Sequence, residues 1–371
     1  MSTPSCRNYK HSGKQSAAIL LKTWILLSAL ATVACAAAGL PLDQHTCEAW
    51  LKLMPETMIL HAPYTPFKAD DARSLNATAA TIDLLAAQAK SFGVNTVWVP
   101  GSMGQFDVIS VSERKVLLQH WISAGKKHGI YVIAHVGTPI QSDAIEMAEY
   151  AVSLDADAIA SVPGYYEDYT DVESVARFIA PIAAAAPQTP FFYYHIPEVT
   201  GATIQAFELM STARNKSSLS TYVPTLCGIK FVSSNLADWF NLVRTYNESA
   251  SLMFAPEPKM ASFPFTGRGV VLAEDFYAPT FIRMYQGWLN GDDQVAYEEQ
   301  AWKYSAEKVF GTYGGTSAKR LLYEKFPITG AGGVNMGPGR LPKKCFNPAE
   351  HTALFEALQD VDFWQKIKLE R

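Results

Sequence analysis

Residues 78–101 read TAATIDLLAAQAKSFGVNTVWVPG, and this stretch decides the fold. Apolar residues recur at helical spacing in its first part, and the pattern stops at Gly93. The next residues, VNTVWV, are rich in β-branched and aromatic side chains and end in a Pro-Gly turn, which is typical of a strand. Because another apolar run, MILHAPYT, precedes this stretch at 58–65, the local order is strand, helix, strand.

The same alternation continues along the chain. Helical patterns are followed by the apolar runs IYVIAHVG (130–137), DAIASVPG (157–164), TPFFYYHIP (189–197), CGIKFV (227–232), SLMFAP (251–256) and FTGRGVVLAED (265–275). Near-continuous apolar strands that alternate with helices indicate a parallel sheet covered by helices. About eight such units match a (β/α)8 barrel better than a doubly wound sheet. No GxGxxG follows the first strand, which argues against a dinucleotide-binding fold.

We therefore predict an α/β fold, a (β/α)8 TIM barrel over residues 56–291. The remainder, 292–371, has helical patterns such as DQVAYEEQAWKYSAEKVF and no strands. It is predicted to form a C-terminal helical extension packed on the barrel.

The N-terminal segment, residues 1–40, has a different character. Four basic residues precede the apolar run WILLSALATVACAAAGL (24–40), which ends in small residues. This order predicts a secretory signal peptide. An uncleaved signal anchor is the alternative, since about 17 apolar residues are short for a membrane span but not excluded. In both cases the rest of the chain is expected in the secretory pathway, either secreted or lumenal, or anchored with a lumenal catalytic domain.

The charge and the cysteines exclude several classes of function. A formal net charge of -4 and the lack of a dense basic stripe beyond the N-terminal segment argue against a nucleic-acid partner. Outside the N-terminal segment, Cys47, Cys227 and Cys345 allow at most one internal disulfide and have no metal-ligand spacing. We expect neither a disulfide scaffold nor a metal site.

Two strand ends carry candidate catalytic residues, because chemistry in such barrels lies where the strands end. Lys230, in CGIKFV, places an amine in an apolar strand. Burial would keep it neutral and ready for Schiff-base chemistry, whereas a rim lysine that extends into solvent is the alternative. Tyr194 closes the preceding strand, so its phenol could shuttle a proton near that lysine. The alternative is a core tyrosine with a satisfied hydroxyl.

Two loops carry weaker signals. GSMGQ (101–105) offers Ser102 and backbone N–H groups that could bind a carboxylate or phosphate, although a tight turn with glycines needs no ligand. PGYYEDY (163–169) brings Tyr165 after another strand, where an aromatic residue either packs on a neighbour or contacts substrate. His135 and His195 have no partner at metal-ligand spacing and are predicted to be structural.

Taken together, GSMGQ, VSERK, HVG, PFFYYHIPEVTG, GIKF and MGPGRLP resemble, in order and spacing, the N-acetylneuraminate lyase branch of the dihydrodipicolinate synthase superfamily. The resemblance covers about residues 58 to 345 and is closest to the animal-type lyases. It implies a class I aldolase, often a homotetramer, that acts on a 2-oxo acid or sugar acid without a cofactor.

The resemblance also implies roles for single residues. Lys230 would form the Schiff base with the 2-oxo carbon, and Tyr194 would move the proton of the substrate hydroxyl as the carbon–carbon bond breaks. Ser102, with the loop amides, would hold the carboxylate. Independently of the resemblance, Tyr165 is a candidate substrate contact because of its place in the loop after a strand.

Several positions depart from the family pattern. Met103 replaces a hydroxyl residue of the G-[ST]-T-G-E loop, and Gln105 replaces its acid. A thioether cannot pass a proton, which weakens the expected relay.

The part of the pattern that reads the sugar differs as well. Where the family has a Gly-x-Asp-Glu segment, this chain has Ala255, Glu257 and Pro258 at the positions of the glycine and the two acids. Ala273 replaces a serine that helps to bind the sugar tail. The expected function is cleavage of N-acetylneuraminate to N-acetylmannosamine and pyruvate. The alternatives are an aldolase for another 2-oxo acid and a secreted, non-catalytic relative that binds a sugar acid.

Overall fold

The computed structural model describes residues 47–54, 57–257, 259, 269–326, 333–343 and 348–367. The predicted signal segment at 1–40 lies outside the described residues, as do Cys345 and Pro258. Within the described part of the chain, no helix is long and apolar enough to cross a membrane.

Eight parallel strands form a closed barrel in chain order, with the first strand paired to the last. The strands are β1 Met58–His61, β2 Thr96–Val99, β3 Tyr131–His135, β4 Ala158–Ser161, β5 Phe191–His195, β6 Leu226–Phe231, β7 Ser251–Phe254 and β8 Gly269–Leu272. Nearly every strand residue is buried, as the continuous apolar runs predicted. The (β/α)8 barrel prediction is therefore confirmed.

Helices surround the barrel and extend beyond it. They are α1 Cys47–Leu53, α2 Ala79–Ser91, α3 Val111–His128, α4 Gln141–Ser153, α5 Val172–Ala184, α6 Pro197–Thr200, α7 Ala206–Ala213, α8 Leu236–Tyr246, α9 Ala278–Leu289, α10 Asp293–Thr312, α11 Thr316–Leu321, α12 Pro348–Gln359 and α13 Phe363–Lys366, with short 3-10 turns at Phe106–Val108, Asp275–Tyr277 and Leu322–Glu324. The start of α3 shows how local sequence fixes these bounds. Ser110 and Glu113 form a reciprocal capping box there.

The C-terminal helices α10 to α13 form the predicted extension. The aromatic ring of Phe363 on α13 lies 5.7 Å from that of Phe310 on α10 and 5.6 Å from that of Phe276, which follows β8. This apolar cluster attaches the extension to the barrel at the end of β8.

The apolar residues divide between two layers. One cluster lies between the strands and the helices, and we call it the shell cluster. The other lies inside the barrel and contains Trp98, Phe192 and Tyr194, and we call it the interior cluster. Since strand side chains alternate, Phe191 and Tyr193 belong to the shell cluster while Phe192 and Tyr194 point inward. The four consecutive aromatic residues of β5 therefore serve two different layers.

Helix α1 covers the end of the barrel at which the strands begin. Trp50 belongs to the interior cluster, and its ring lies 5.2 Å from that of Phe192. A disulfide joins Cys47 at the start of α1 to Cys227 near the start of β6. The sequence allowed at most one internal bridge, and the structure shows this pairing.

Candidate active site

Lys230 and Tyr194 face each other across adjacent strands at the heart of the barrel. They are register partners on β6 and β5, and both are nearly inaccessible, at 2% and 3% exposure. The Nζ of Lys230 lies 4.0 Å from the centre of the Tyr194 ring and 4.7 Å from that of Trp98. The structure thus brings together the two residues that the sequence singled out, and Lys230 is not a rim lysine.

The environment of Lys230 favours its neutral form. Burial is the main cause that lowers its pKa, to about 7, and the positive charge of Lys259 acts in the same direction. A large fraction of the amine is therefore unprotonated near neutral pH. A neutral amine is the nucleophile that imine formation requires.

The phenol of Tyr194 is held by Ser102. Its Oη and the Oγ of Ser102 lie 3.2 Å apart and share a hydrogen bond. Burial raises the pKa of Tyr194 to about 12, against the opposing effect of the Ser102 hydrogen bond. The phenol therefore stays protonated at neutral pH and can donate its proton.

Gly101 allows the Ser102 loop to approach the lysine. A Cβ at this position would lie 3.2 Å from the Trp98 ring and 3.8 Å from the Nζ of Lys230. The loop therefore passes directly beside the Lys230 amine.

The two departures in this loop have structural explanations. Met103 packs against the shell cluster rather than the interior cluster. Gln105 adopts a left-handed backbone conformation with φ 54°, and its buried amide pairs with the backbone of Arg340. Its Nε2 donates to the Arg340 carbonyl at 2.9 Å, and its Oε1 accepts from the Arg340 N–H at 3.0 Å. An amide can make both bonds, whereas the family's carboxylate can only accept.

Tyr165 lies in the mouth of the barrel. It packs against the interior cluster, and its ring lies 5.9 Å from that of Phe106. Both residues line a cavity of about 380 Å³ that also reaches Ser102 and Ile196. Tyr165 is therefore placed to contact a substrate that enters beside Ser102.

Glu257, the one carboxylate in the segment that is expected to recognise the sugar, already binds other side chains of the protein. Its oxygens lie 2.7 Å from the Nζ of Lys303 on α10, 3.3 Å from that of Lys259 and 3.3 Å from the Nε2 of Gln300. Burial alone would raise its pKa, but the two lysines lower it to about 2. Ala255, two residues earlier, packs against the interior cluster, and its N–H donates to the carbonyl of Phe231 at 2.9 Å.

Ala273 follows β8 and precedes two buried acids that sequence reasoning did not single out. The Oη of Tyr64 donates to Glu274 at 2.6 Å, and Lys319 on α11 lies 3.2 Å from the same carboxylate. Asp275 accepts from the Oη of Tyr323 at 2.9 Å. The sequence did carry a signal for them, since two consecutive acids follow closely on an apolar strand. The carboxyl ends of the strands in such a barrel face the site.

The two histidines that were predicted to be structural, His135 and His195, pack against aromatic rings. His135 stacks beside Trp98, and its Nδ1 is paired with the Pro100 carbonyl at 2.9 Å. His195 points outward and stacks on Phe231. Among the residues that the structure describes, there is no group of three or more His, Cys, Asp or Glu side chains that could hold a metal ion.

Comparison with known proteins shows the family of this chain. The Dihydrodipicolinate synthetase family matches residues 56–310. N-acetylneuraminate lyase A of Xenopus laevis is 29% identical over 290 residues, which cover 76% of this chain and 89% of the relative. The N-acetylneuraminate lyase of Mus musculus is 28% identical over 280 residues, covering 74% of this chain and 83% of the relative.

Solved structures share the fold. Proteus mirabilis N-acetylneuraminate lyase superposes with a TM-score of 0.74 at 23% identity, covering 82% of this chain and 98% of that chain. Ruminococcus gnavus sialic acid aldolase gives a TM-score of 0.72 at 22% identity, covering 84% and 99% of the two chains. At these identities the structural likeness supports the barrel and not the substrate.

Proposed function

Because this chain belongs to the dihydrodipicolinate synthetase family, we propose that it is a class I aldolase that cleaves N-acetylneuraminate to N-acetylmannosamine and pyruvate. The observation that carries the proposal is the buried Lys230 amine beside the phenol of Tyr194. The relatives at 28–29% identity bear the name of this activity.

The proposed reaction needs only groups that the barrel mouth provides. The Lys230 amine adds to the 2-oxo carbon, and loss of water gives an imine. As the C3–C4 bond breaks, the proton of the C4 hydroxyl passes to the oxygen of Tyr194 while the phenol hands its own proton to the substrate carboxylate, which returns it to C3 in the next step, and the electron pair moves into the protonated imine to give an enamine. Protonation at C3 and hydrolysis then release pyruvate and restore the amine. Ser102 and the loop amides hold the carboxylate throughout.

An aldolase for a different 2-oxo acid is the second candidate, and one observation favours it. Glu257 is bound by Lys259 and Lys303, so it is not free to read sugar hydroxyls, and Ala273 offers no hydroxyl. A buried site that loses its polar readers can lose a large factor in discrimination. The imine chemistry is the same for both candidates.

Borohydride trapping tests the imine. Pyruvate plus borohydride should add one reduced pyruvate to the Lys230 peptide, detected by mass spectrometry, and Lys230→Arg should abolish the adduct. Labelling that is absent, or that persists in Lys230→Arg, contradicts the proposal. Cleavage assays with N-acetylneuraminate and with simpler 4-hydroxy-2-oxo acids then decide between the two candidates.

We also propose that the protein acts in the secretory pathway, as a secreted or lumenal enzyme. The basic-then-apolar order of residues 1–40 supports this, and so does the Cys47–Cys227 disulfide, since disulfides persist in oxidising compartments. Expression in eukaryotic cells, followed by N-terminal sequencing of the mature protein, tests this. An uncleaved chain in the cytosol contradicts it, and an uncleaved chain in the membrane supports the anchor alternative.

The assembly is proposed to be a homotetramer. The support is the family resemblance described above, and sedimentation equilibrium or mass photometry of the purified chain tests it. A single species at the mass of one chain contradicts it.

A further inference from the structure

Three Asn-x-Ser/Thr sequences, the acceptor pattern for N-linked glycans, occur in the described part of the chain. They begin at Asn76, Asn215 and Asn247. A glycan is bulky and has to extend into solvent from the folded protein. The surroundings of the three asparagines therefore indicate which of them can carry one.

Asn215 lies in the loop that joins α7 to β6. Asn215, Lys216 and Ser217 are all exposed. The Oδ1 of Asn215 accepts from the N–H of Ser217 at 3.0 Å, which forms an Asx turn. Among the residues that the structure describes, neither the Nδ2 of Asn215 nor the Oγ of Ser217 has a hydrogen-bond partner. The turn therefore leaves free the nitrogen that would carry a glycan and the hydroxyl that the acceptor pattern requires.

At Asn76 the fold uses the same two groups. The side chain is partly buried, and its Nδ2 donates to the carbonyl of Asn335 at 3.4 Å. The hydroxyl of Thr78 caps the start of α2, where it accepts from the N–H of Thr81 at 3.1 Å. A glycan on the Asn76 nitrogen would have to lie against the segment that contains Asn335.

At Asn247 the side chain lies against the end of a helix. Asn247 directly follows α8, its N–H donates to the carbonyl of Val243 at 3.1 Å, and its Oδ1 is buried. The Oγ of Ser249 accepts from Arg214 at 3.2 Å. Glycosylation there would attach a bulky group to an amide that is packed against the protein.

We propose that Asn215 is an N-glycosylation site and that Asn76 and Asn247 stay unmodified. The inference rests on the proposed secretory location, because acceptor sequences of this kind are used in secreted proteins. The Cys47–Cys227 disulfide points to the same compartment.

The modification is a group transfer from a lipid-linked oligosaccharide pyrophosphate, catalysed by a lumenal transferase. The bond between the anomeric carbon and the pyrophosphate oxygen breaks, and a bond forms between that carbon and the Nδ2 of Asn215. The nitrogen loses one proton to a base of the transferase, and the lipid pyrophosphate leaves.

The position of the loop keeps such a glycan away from the candidate active site. The loop precedes β6 and so lies at the end of the barrel where the strands begin, whereas Lys230 lies towards the other end of β6. Removing the glycan from the native protein should therefore leave the rate of N-acetylneuraminate cleavage unchanged.

Site mapping tests the proposal on the full chain expressed in eukaryotic cells. Digestion with an N-glycosidase in heavy-oxygen water converts each glycan-bearing asparagine into labelled aspartate, which mass spectrometry locates. We expect the label at Asn215 alone. Asn215→Gln and Ser217→Ala should each abolish it, and Ser217→Thr should keep it. Ser217→Ala leaves Asn215 and the backbone N–H that it binds in place, so its loss of label reports the acceptor pattern.

Asn290→Gln is the matched control, since Asn290 is exposed but belongs to no acceptor sequence. It should carry the same label at Asn215 as the wild type, and so should Asn76→Gln and Asn247→Gln. A lumenal wild-type chain without label at Asn215, or with label at either of the other two asparagines, overturns the inference.

Protease protection separates this inference from the proposed location. The full chain is translated in the presence of endoplasmic-reticulum microsomes and then exposed to protease. A protected chain without a glycan at Asn215 leaves the location standing and contradicts the site. A chain that is digested and carries no glycan contradicts the location and the site together. Pyruvate trapping on Lys230 tests the aldolase proposal separately in either case.

Discussion

The two sides of the barrel mouth are built in opposite ways. At the ends of β5 and β6, Tyr194 and Lys230 lie among aromatic rings with few polar neighbours. At the ends of β7 and β8, Glu257 and Glu274 are each bound by lysines from the C-terminal helices. One side favours the neutral forms of its titratable groups, and the other holds its two glutamates in ion pairs.

This difference shows which residues of the family's active-site pattern the chain has kept. Imine chemistry needs a desolvated amine and a protonated phenol, and the first side supplies both. Recognition of a sugar needs polar groups that are free to form hydrogen bonds with it. The carboxylates of the second side instead bind lysines of the helical extension. The reaction type is therefore better supported than the substrate, and each prediction below acts on one side and leaves the other as its reference.

Removing the Tyr194 hydroxyl should have the largest effect. Tyr194→Phe should lower turnover about 100- to 10,000-fold, the range for loss of a general acid–base group. Pyruvate trapping on Lys230 should survive, because the amine is untouched. Steady-state kinetics and mass spectrometry measure the two quantities.

Tyr193→Phe provides the matched control. It removes a hydroxyl from the next residue of the same strand, whose side chain lies in the shell cluster. Its turnover should stay near the wild-type value. Equal losses in the two variants would show that the strand tolerates no change, and would remove the evidence for a proton-transfer role.

The disulfide lies on the same strand as the first side of the mouth, since Cys227 is three positions before Lys230 on β6. Replacing both cysteines by alanine should lower the free energy of unfolding by about 2 to 5 kcal/mol, as the bridge closes a long loop. Urea denaturation measures this, and a reductant should destabilise the wild-type protein and not the double variant. If the reductant destabilises both proteins equally, the bridge is not responsible.

On the second side, Glu257→Gln should cost about 2 to 3 kcal/mol of stability, because two buried lysines lose their carboxylate while partial exposure softens the loss. The pKa of Glu257 is depressed from 4.5 to about 2, so its contribution is complete above 4.5 and is lost as the pH falls towards 2. The stability difference between variant and wild type should narrow in that window. Urea denaturation at several pH values checks this.

The kinetics of the same variant test the alternative role. If Glu257 only binds lysines, the KM for N-acetylneuraminate should stay within about threefold of wild type, less than the loss of a substrate hydrogen bond would cause. A large rise in KM with unchanged stability would show instead that Glu257 reads the sugar.

The barrel and its central pair could be predicted from the sequence because both depend on local patterns. Apolar runs that alternate with helical spacing determine the (β/α)8 order. In a parallel barrel consecutive strands are neighbours, so Tyr194 and Lys230 at successive strand ends had to lie close together. The inward direction of Tyr194 follows from the period of two along β5.

The second side could not be predicted, because its contacts join residues that are distant in sequence. Glu257 meets Lys303 on α10, and Glu274 meets Lys319 on α11, and no spacing along the chain signals either pair. A resemblance assigns roles to matching positions, but it does not predict which residues of distant helices contact them.

Gln105 offers the smallest and most local test, because it stands where the family has an acid. Gln105→Glu would set a carboxylate oxygen against the Arg340 carbonyl, where the amide now donates at 2.9 Å. The loss of a buried hydrogen bond should cost about 1 to 3 kcal/mol. Gln141→Glu is the control, since that side chain also donates to a carbonyl, that of Phe178 at 2.8 Å, but is less buried. It should cost less than about 0.5 kcal/mol, as is usual for more exposed positions. If Gln105→Glu is neutral in urea denaturation and raises turnover, then the family's acid can still act in this site and the amide is not needed to hold Arg340.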